Sequence, residues 1–341
     1  VLSGGPSLEA QASRVSAAGV YTALAESGHR AVWLDLSGEG EWEWRSDSEA
    51  EEGASALPQA GDRGTGSSLD ALASLLRATS VDVAFPVIPG QLGEDGQIGA
   101  LCESLSIACV GCSAPASAAC YDKVLFKSLV RAAGLPLARF LAVGRDAWER
   151  DPAWFGARVD REIRYPCIVK PSQSGSSFGL SRVAGSDDLA AAIAAAHEFD
   201  DVALVEELFV GSDVEIGVFE NGSLLVGNPV ELEYEGLLYD FDAKYLRGDR
   251  RYLPARCSPG LVERLRQGAR AAFLATSCNG MARVDLLADL TGERFVVNEI
   301  NTIPYMPESS TFAKSLCHRS GKTYPELVTA IAHAAASRGQ A

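Results

Sequence analysis

The sequence predicts a mixed fold, an α/β unit with a parallel sheet at the amino end followed by α+β architecture. Three observations predict it. Short apolar stretches of strand length alternate with helical runs in the first third, and after Ser113 the pattern changes to strands separated by glycine-rich turns. A chain of 341 residues with 47% hydrophobic content also carries enough apolar surface for two or three domains. The formal charge of −15 and the lack of a basic run exclude a nucleic-acid surface, which needs cations to neutralise phosphates. No apolar run approaches the roughly 18 to 20 residues of a membrane helix. The opening VLSGGPSLEA reads as a strand and glycine loop instead of a signal peptide, so the expected location is the cytoplasm, with no membrane partner. The eight cysteines show no CxxC pair and no zinc-type spacing. Cys109, Cys112 and Cys167 lie in apolar segments, and the set reads as reduced, buried small hydrophobes.

Taken in order, VLSGG is a clipped strand, RVSAAGVYTALAESG a helix with an apolar face closed by Gly28, and AVWLDL (Ala31 to Leu36) and VDVAFPVI (Val81 to Ile88) short strands. These make a parallel-sheet unit over residues 1–112. Within it, Gly38 to Asp70 is acidic, glycine-rich and without helical period, which predicts a hairpin and a mobile surface loop. SAPASAACYDKVLFKSLVRAAGLPL is a helical run ending at Gly134, before Pro136. PCIVKPS is a strand that enters the loop SQSGSSFGLSRV, and DVALVEELFVG is the next buried strand, giving a small α+β unit over 113–209. Residues 210–341 continue with the alternating strands DVEIGVFENGSLLVG, an acidic loop and the helix GLVERLRQGARAAFLATS. Two strands around the turn Thr291 to Glu293 and a closing helix from Tyr324 complete the chain.

The chemistry concentrates in the second half. Asp285 lies on one predicted strand, and Glu299 and Asn301 alternate on the next, so a period of two puts the latter pair on one sheet face. Hairpin pairing brings Asp285 to them. Such hard oxygen donors hold magnesium on a nucleotide, although spacing alone equally allows a solvated polar face. Lys170 leads from its strand into a loop whose Gly175, Ser176, Ser177 and Gly179 turn backbone N–H groups toward phosphate oxygens. By itself that loop is also consistent with a plain hairpin connection.

The motifs GGPSLEA, GEDGQIGALCESL, YDKVLFK, VKPSQSGSSFG, VEELFVG, YDFDAKYL, ARVDLL and NEINTIP follow one another in an order that resembles the D-alanine–D-alanine ligases of the ATP-grasp superfamily. The resemblance spans nearly the whole chain. It implies a three-domain ATP-grasp fold with ATP clamped between the two C-terminal domains, and two magnesium ions for which manganese substitutes. By the same resemblance, Lys123, Lys170 and Lys244 contact phosphates alongside the Ser177 loop, and Glu206, Glu207, Leu208 and Phe209 read the adenine edge. Asp213 stands at the ribose position, where the family generally has glutamate, and Asp285, Glu299 and Asn301 are the metal ligands.

The implied reaction activates one amino acid's carboxylate as an acyl phosphate, which a second amine attacks to form an amide. Glu9, with Ser176 and Tyr245, matches the group that receives the first amino acid, and Arg283 matches the arginine that stabilises the oxyanion. Ser310 matches the position that receives the second substrate's carboxylate, with Tyr305 and Ser309 beside it. Small amino acids are the implied partners, and the implied assembly is a homodimer formed through the N-terminal domain. Taken singly, Lys123 and Lys244 suit surface lysines, Glu9 a helix-start acid facing the dipole, and Arg283 half of an ion pair.

Two positions depart from the family pattern. Pro89 stands where the family generally has histidine before the glycine, and Tyr305 where NTxPGFT has its glycine, with Pro307 close behind. Both point to an altered acceptor. The alternatives are a specialised amino-acid ligase of secondary metabolism and a catalytically silent nucleotide-binding homologue.

Overall fold

The computed structural model describes residues 1–5, 9–45, 68–175, 178–234 and 249–339. At the amino end β1 (Leu2–Gly4) pairs parallel with β2 (Trp33–Leu36), and α1 (Ala10–Glu26) forms the crossover. The chain then turns back as β3 (Trp42–Arg45), antiparallel to β2, which is the expected hairpin; the expected mobile loop falls at 46–67, outside the described residues. The helix α2 (Ser68–Thr79) follows, so Asp70 is helical and not part of the loop. The strand expected over Val81 to Ile88 is regular only at β4 (Val83–Ala84), parallel to β5 (Ala108–Cys109). Pro86 has no N–H to donate, yet Leu2 N donates to Phe85 O and Val87 N to Leu2 O, both at 2.9 Å, so the two ladders stay joined. Between them lies α3 (Gln97–Ser104).

The helical run after Ser113 is two helices, α4 (Ala114–Tyr121) and α5 (Lys123–Ala132). Asp122 separates them because its carboxylate accepts the Val124 and Leu125 N–H groups, both at 3.0 Å, as an N-cap. A four-stranded antiparallel sheet follows in the order β6-β9-β7-β8, built from β6 (Phe140–Gly144), β7 (Cys167–Pro171), β8 (Ser181–Val183) and β9 (Val202–Glu207). Its connections are α6 (Arg145–Arg150), α7 (Pro152–Arg158), a π-helical turn at Val159–Ile163, and α8 (Leu189–His197). The polar surfaces of α6 and α7 and the brevity of β6 leave little period to read in this stretch.

The larger sheet has the order β13-β12-β10-β14-β15, with β11 on β10. Its strands are β10 (Ser212–Asn221), β11 (Ser223–Val226), β12 (Val230–Glu233), β13 (Arg250–Tyr252), β14 (Met281–Asp289) and β15 (Arg294–Asn301). β12 and β13 lie within the stretch expected as an acidic loop. On one face, Val214, Ile216, Val218, Ala282, Val284 and Leu286 pack against α9 (Pro259–Ala275) together with Phe126 and Val130 of α5. The opposite face carries Glu215, Gly217, Arg283 and Asp285, and is covered at one end by α10 (Thr311–Ser320), a helix that the sequence reading did not include. Ser310 caps α10 and Gly321 ends it at φ +73, so both signals were present. The closing helix α11 (Tyr324–Gly339) joins α1 and α10 in a core that includes Val20, Phe85, Phe312, Leu327 and Ile331.

All eight cysteines are free thiols, but Cys109, Cys112, Cys257 and Cys317 are half-buried, which corrects the expectation of burial for them. Among the described residues no helix is long and apolar enough to cross a membrane.

Candidate active site

A cavity of about 440 Å³ opens where the two sheets and the N-terminal unit meet. The larger sheet supplies its acidic floor. Asp285 on β14 pairs directly with Glu299 on β15, and Arg283 with Asn301, so the four side chains occupy two adjacent rungs of one face. Arg283 forks onto Asp285 with Nε and Nη2, both at 2.7 Å, and Asn301 Nδ2 donates to Asp285 Oδ2 at 2.9 Å. Burial pushes the Asp285 carboxyl up to about 7, against the pull of Arg283 beside it.

That set fits a divalent cation. Two carboxylates and the Asn301 amide oxygen are hard donors, and a cation would hold Asp285 ionised in surroundings that otherwise favour its proton.

The smaller sheet supplies the cationic wall. Lys170 on β7 and Lys127 on α5 both reach Glu206 on β9, at 2.6 and 2.5 Å, and all three are buried. Lys127 escaped the sequence reading. Its signal was its place four residues after Lys123 on the buried stripe of α5, where a lysine needs a buried partner. Lys123 donates to the Ser174 carbonyl at 2.6 Å and lies 3.9 Å from Glu299, so it spans the cavity toward the acidic floor.

Glu206, Glu207, Leu208 and Phe209, expected as the adenine strand, line the cavity, although β9 ends at Glu207. Two of its side chains are engaged elsewhere. The Glu206 carboxylate lies between the two lysines, and Glu207 turns outward to Arg139, with both bonds at 2.9 Å. Asp213 borders the cavity and accepts a hydrogen bond from Tyr234.

Glu9 arrives from the N-terminal unit as the residue before α1, and its carboxylate lies against Gly175; a Cβ on that glycine would sit 2.5 Å from Glu9 Oε2. A side chain at that position would push the Glu9 carboxylate aside. Ser176 and Ser177 follow directly in that loop but lie outside the described residues, as do Lys244 and Tyr245. Pro89 borders the same end of the cavity, beside Glu94, which accepts the Gly90 N–H at 2.8 Å. Burial, and then the charge of Glu9, pushes Glu94 up to about 8, so at neutral pH its carboxyl is largely protonated. Glu94 was visible in the sequence only as the acid of the GEDG turn.

At the other end, Tyr305 is 37% exposed and forms part of the wall with Ser309 and Arg251, whose Nη1 donates to the Ser309 carbonyl at 2.8 Å. Tyr305 is not among the described residues with left-handed φ, so the turn accepts a side chain without backbone strain. Ser310 is buried as the N-cap of α10, its Oγ accepting the Ala313 N–H at 3.1 Å, and it does not line the cavity, although Ser309 and Thr311 on either side of it do.

Against known proteins, the family models described as D-ala D-ala ligase N-terminus and C-terminus match residues 1–112 and 129–333. A curated D-alanine–D-alanine ligase of Clostridium novyi is 32% identical over 99% of this chain and 97% of its own length. The chain belongs to the D-alanine–D-alanine ligase family. Among solved structures, the VanG D-Ala:D-Ser ligase of Enterococcus faecalis aligns with a TM-score of 0.80 at 26% identity, covering 98% of each chain. The D-alanine–D-alanine ligase of Coxiella burnetii gives 0.80 at 26% identity, over 99% of this chain and 93% of that one. The family fold is ATP-grasp, and it accounts for a cavity walled by lysines on one side and carboxylates on the other. Family membership brings with it ATP, a divalent cation and small amino-acid substrates.

Proposed function

We propose that this ligase joins two amino acids through an acyl phosphate, and that its acceptor differs from D-alanine. One observation carries the reading: the Asp285–Glu299 pair, with Arg283 and Asn301 on the next rung, faces Lys123 and Lys170 across one cavity that Glu9 enters from a distant unit. Residues 1–112, 113–209 and 210–341 are the corresponding functional units.

In this reading Lys123 and Lys170 bind ATP phosphate oxygens, and Lys244 and Ser177 are further phosphate contacts. The main chain of Glu206, Glu207, Leu208 and Phe209 borders the adenine, and Asp213 the ribose. Magnesium, when bound, spreads the charge of the β- and γ-phosphates, and Asp285, Glu299 and Asn301 supply donors for two such ions. Glu9, with Ser176 and Tyr245, orients the first amino acid by its ammonium so that its carboxylate faces the γ-phosphate. Arg283 then stabilises the oxyanion as the second amine attacks the acyl carbon and phosphate leaves. Ser310 and the start of α10 receive the acceptor's carboxylate, with Ser309 beside them. Tyr305 and Pro89 favour the altered acceptor, because each replaces a small or polar family residue on the cavity wall. The homodimer and cytoplasmic location implied by the resemblance belong to the same proposal.

The test is phosphate release from ATP and magnesium with pairs of D- and L-amino acids, including D-alanine alone, with products read by mass spectrometry. Release that depends on an added amino acid, with a mixed product, is expected. D-alanyl-D-alanine as the main product would overturn the altered acceptor. No release across the panel would favour the silent nucleotide-binding homologue.

A further inference from the structure

The acidic rung of the larger sheet contains a third carboxylate. Glu215 on β10 pairs with Asp285 on β14, and Asp285 in turn with Glu299, so three acids lie side by side on three adjacent strands facing the cavity. Glu215 is only 7% exposed. Its Oε2 lies 3.3 Å from Arg283 Nε and also accepts a hydrogen bond from Thr311 Oγ1, at the first residue of α10. Arg283 therefore touches two carboxyl groups at once: a tight fork on Asp285 and a looser contact with Glu215.

A divalent cation at Asp285 weakens the tighter of those two contacts. The cation takes carboxylate oxygens that the guanidinium now holds, and it repels the guanidinium as well. A buried arginine released without another anion would carry a large desolvation cost. We infer that Glu215 is a positioning residue that retains Arg283 when the cation claims Asp285, keeping the guanidinium aimed into the cavity. Strand register and Thr311 fix the carboxylate, so it is already in place before the exchange. The same contact ties Arg283 to the start of α10, which links the oxyanion arginine to the acceptor end. This last consequence rests on the ligase reading; the exchange of partners at Asp285 does not.

The experiment measures Mn²⁺ binding to the full chain by electron paramagnetic resonance in the presence of adenylyl imidodiphosphate. In Glu215→Gln, Arg283 keeps Asp285 as its main partner and competes with the cation, so Mn²⁺ affinity falls by about tenfold. In an Arg283→Met background the same substitution changes affinity by less than about twofold, because the competitor is gone. An unchanged affinity in Glu215→Gln, or an equal loss in both backgrounds, would overturn the inference; the second outcome would mean that Glu215 acts on the cation directly. If Glu215→Gln does not fold, Thr311→Val provides the test: it loosens Glu215 without changing charge. A smaller loss of Mn²⁺ affinity is then expected in Thr311→Val, and none would overturn the inference. These readings stand whether or not the protein turns over any amino acid, so failure of the ligase reading is separately visible.

Discussion

Glu206 is one carboxylate serving two buried lysines, and its ionisation is a stability device. Burial alone would raise its pKa, but Lys127 and Lys170 outweigh that effect and hold it at about 2, against an ordinary value of 4.5. A depressed carboxylate stabilises the fold above its unfolded pKa and loses that contribution as pH falls through the folded value. The stabilisation is therefore complete above pH 4.5 and disappears toward pH 2. Glu206→Gln leaves two buried ammonium groups unbalanced, and a loss on the order of 3 kcal/mol is expected near neutral pH. Urea unfolding of both proteins across the acid range checks this: the difference between them should shrink as pH falls from 4.5 toward 2. A constant difference would remove Glu206 from this role.

Two close approaches between elements occur at glycines, Gly175 beside the cavity and Gly217 under α10. Gly175 sits so close to Glu9 that a Cβ would lie 2.5 Å from Oε2, yet the atom it meets is the end of a flexible side chain. Gly175→Ala should therefore leave the melting temperature nearly unchanged while kcat/KM for the first amino acid falls by about 10²-fold, since Glu9 must swing aside. Gly217 makes the opposite case. Its Cβ would meet the Phe312 carbonyl and Leu316 Cγ, both at 2.9 Å, where α10 lies on β10. Gly217→Ala should destabilise by about 1–3 kcal/mol, measurable by denaturant unfolding, because the backbone of a packed helix cannot yield as a side chain can.

At the scale of the whole molecule, the two ends of the chain share one core. Val20 and Phe85 from the N-terminal unit pack with Phe312, Leu327 and Ile331 from α10 and α11. Glu9 consequently reaches the cavity on a unit anchored by the opposite end of the chain. Ile331→Ala should cost about 3 kcal/mol and lower the unfolding midpoint in a single transition, with tryptophan fluorescence, from Trp33, Trp42 and Trp44 of the N-terminal unit together with Trp148 and Trp154, reporting the same midpoint as far-ultraviolet circular dichroism. Separate midpoints would show that the units fold independently. The sharing also explains what could be read in advance. The two adjacent rungs that carry Asp285, Glu299 and Asn301 were legible because one hairpin and a period of two define them. The α10 helix was passed over although Ser310 and Gly321 bracket it, because its apolar stripe faces a sheet that lies distant in sequence. The strands β12 and β13 were passed over because charged residues such as Glu233, Arg250 and Arg251 mask their alternation.

The sequence by itself determined the family, the reaction class and the acidic sheet face proposed to hold the metal. Ordered motifs and local strand alternation carry that information without any long-range contact. Only the tertiary structure decided which charges balance one another. It set Lys127 and Lys170 on Glu206, brought Glu9 against Gly175, and aligned Glu215 beside Asp285 so that Arg283 is shared between them. The reason is that side-chain period depends on neighbours in the chain, whereas ion pairing in a buried site depends on strand register and on packing between segments that meet only when the chain folds.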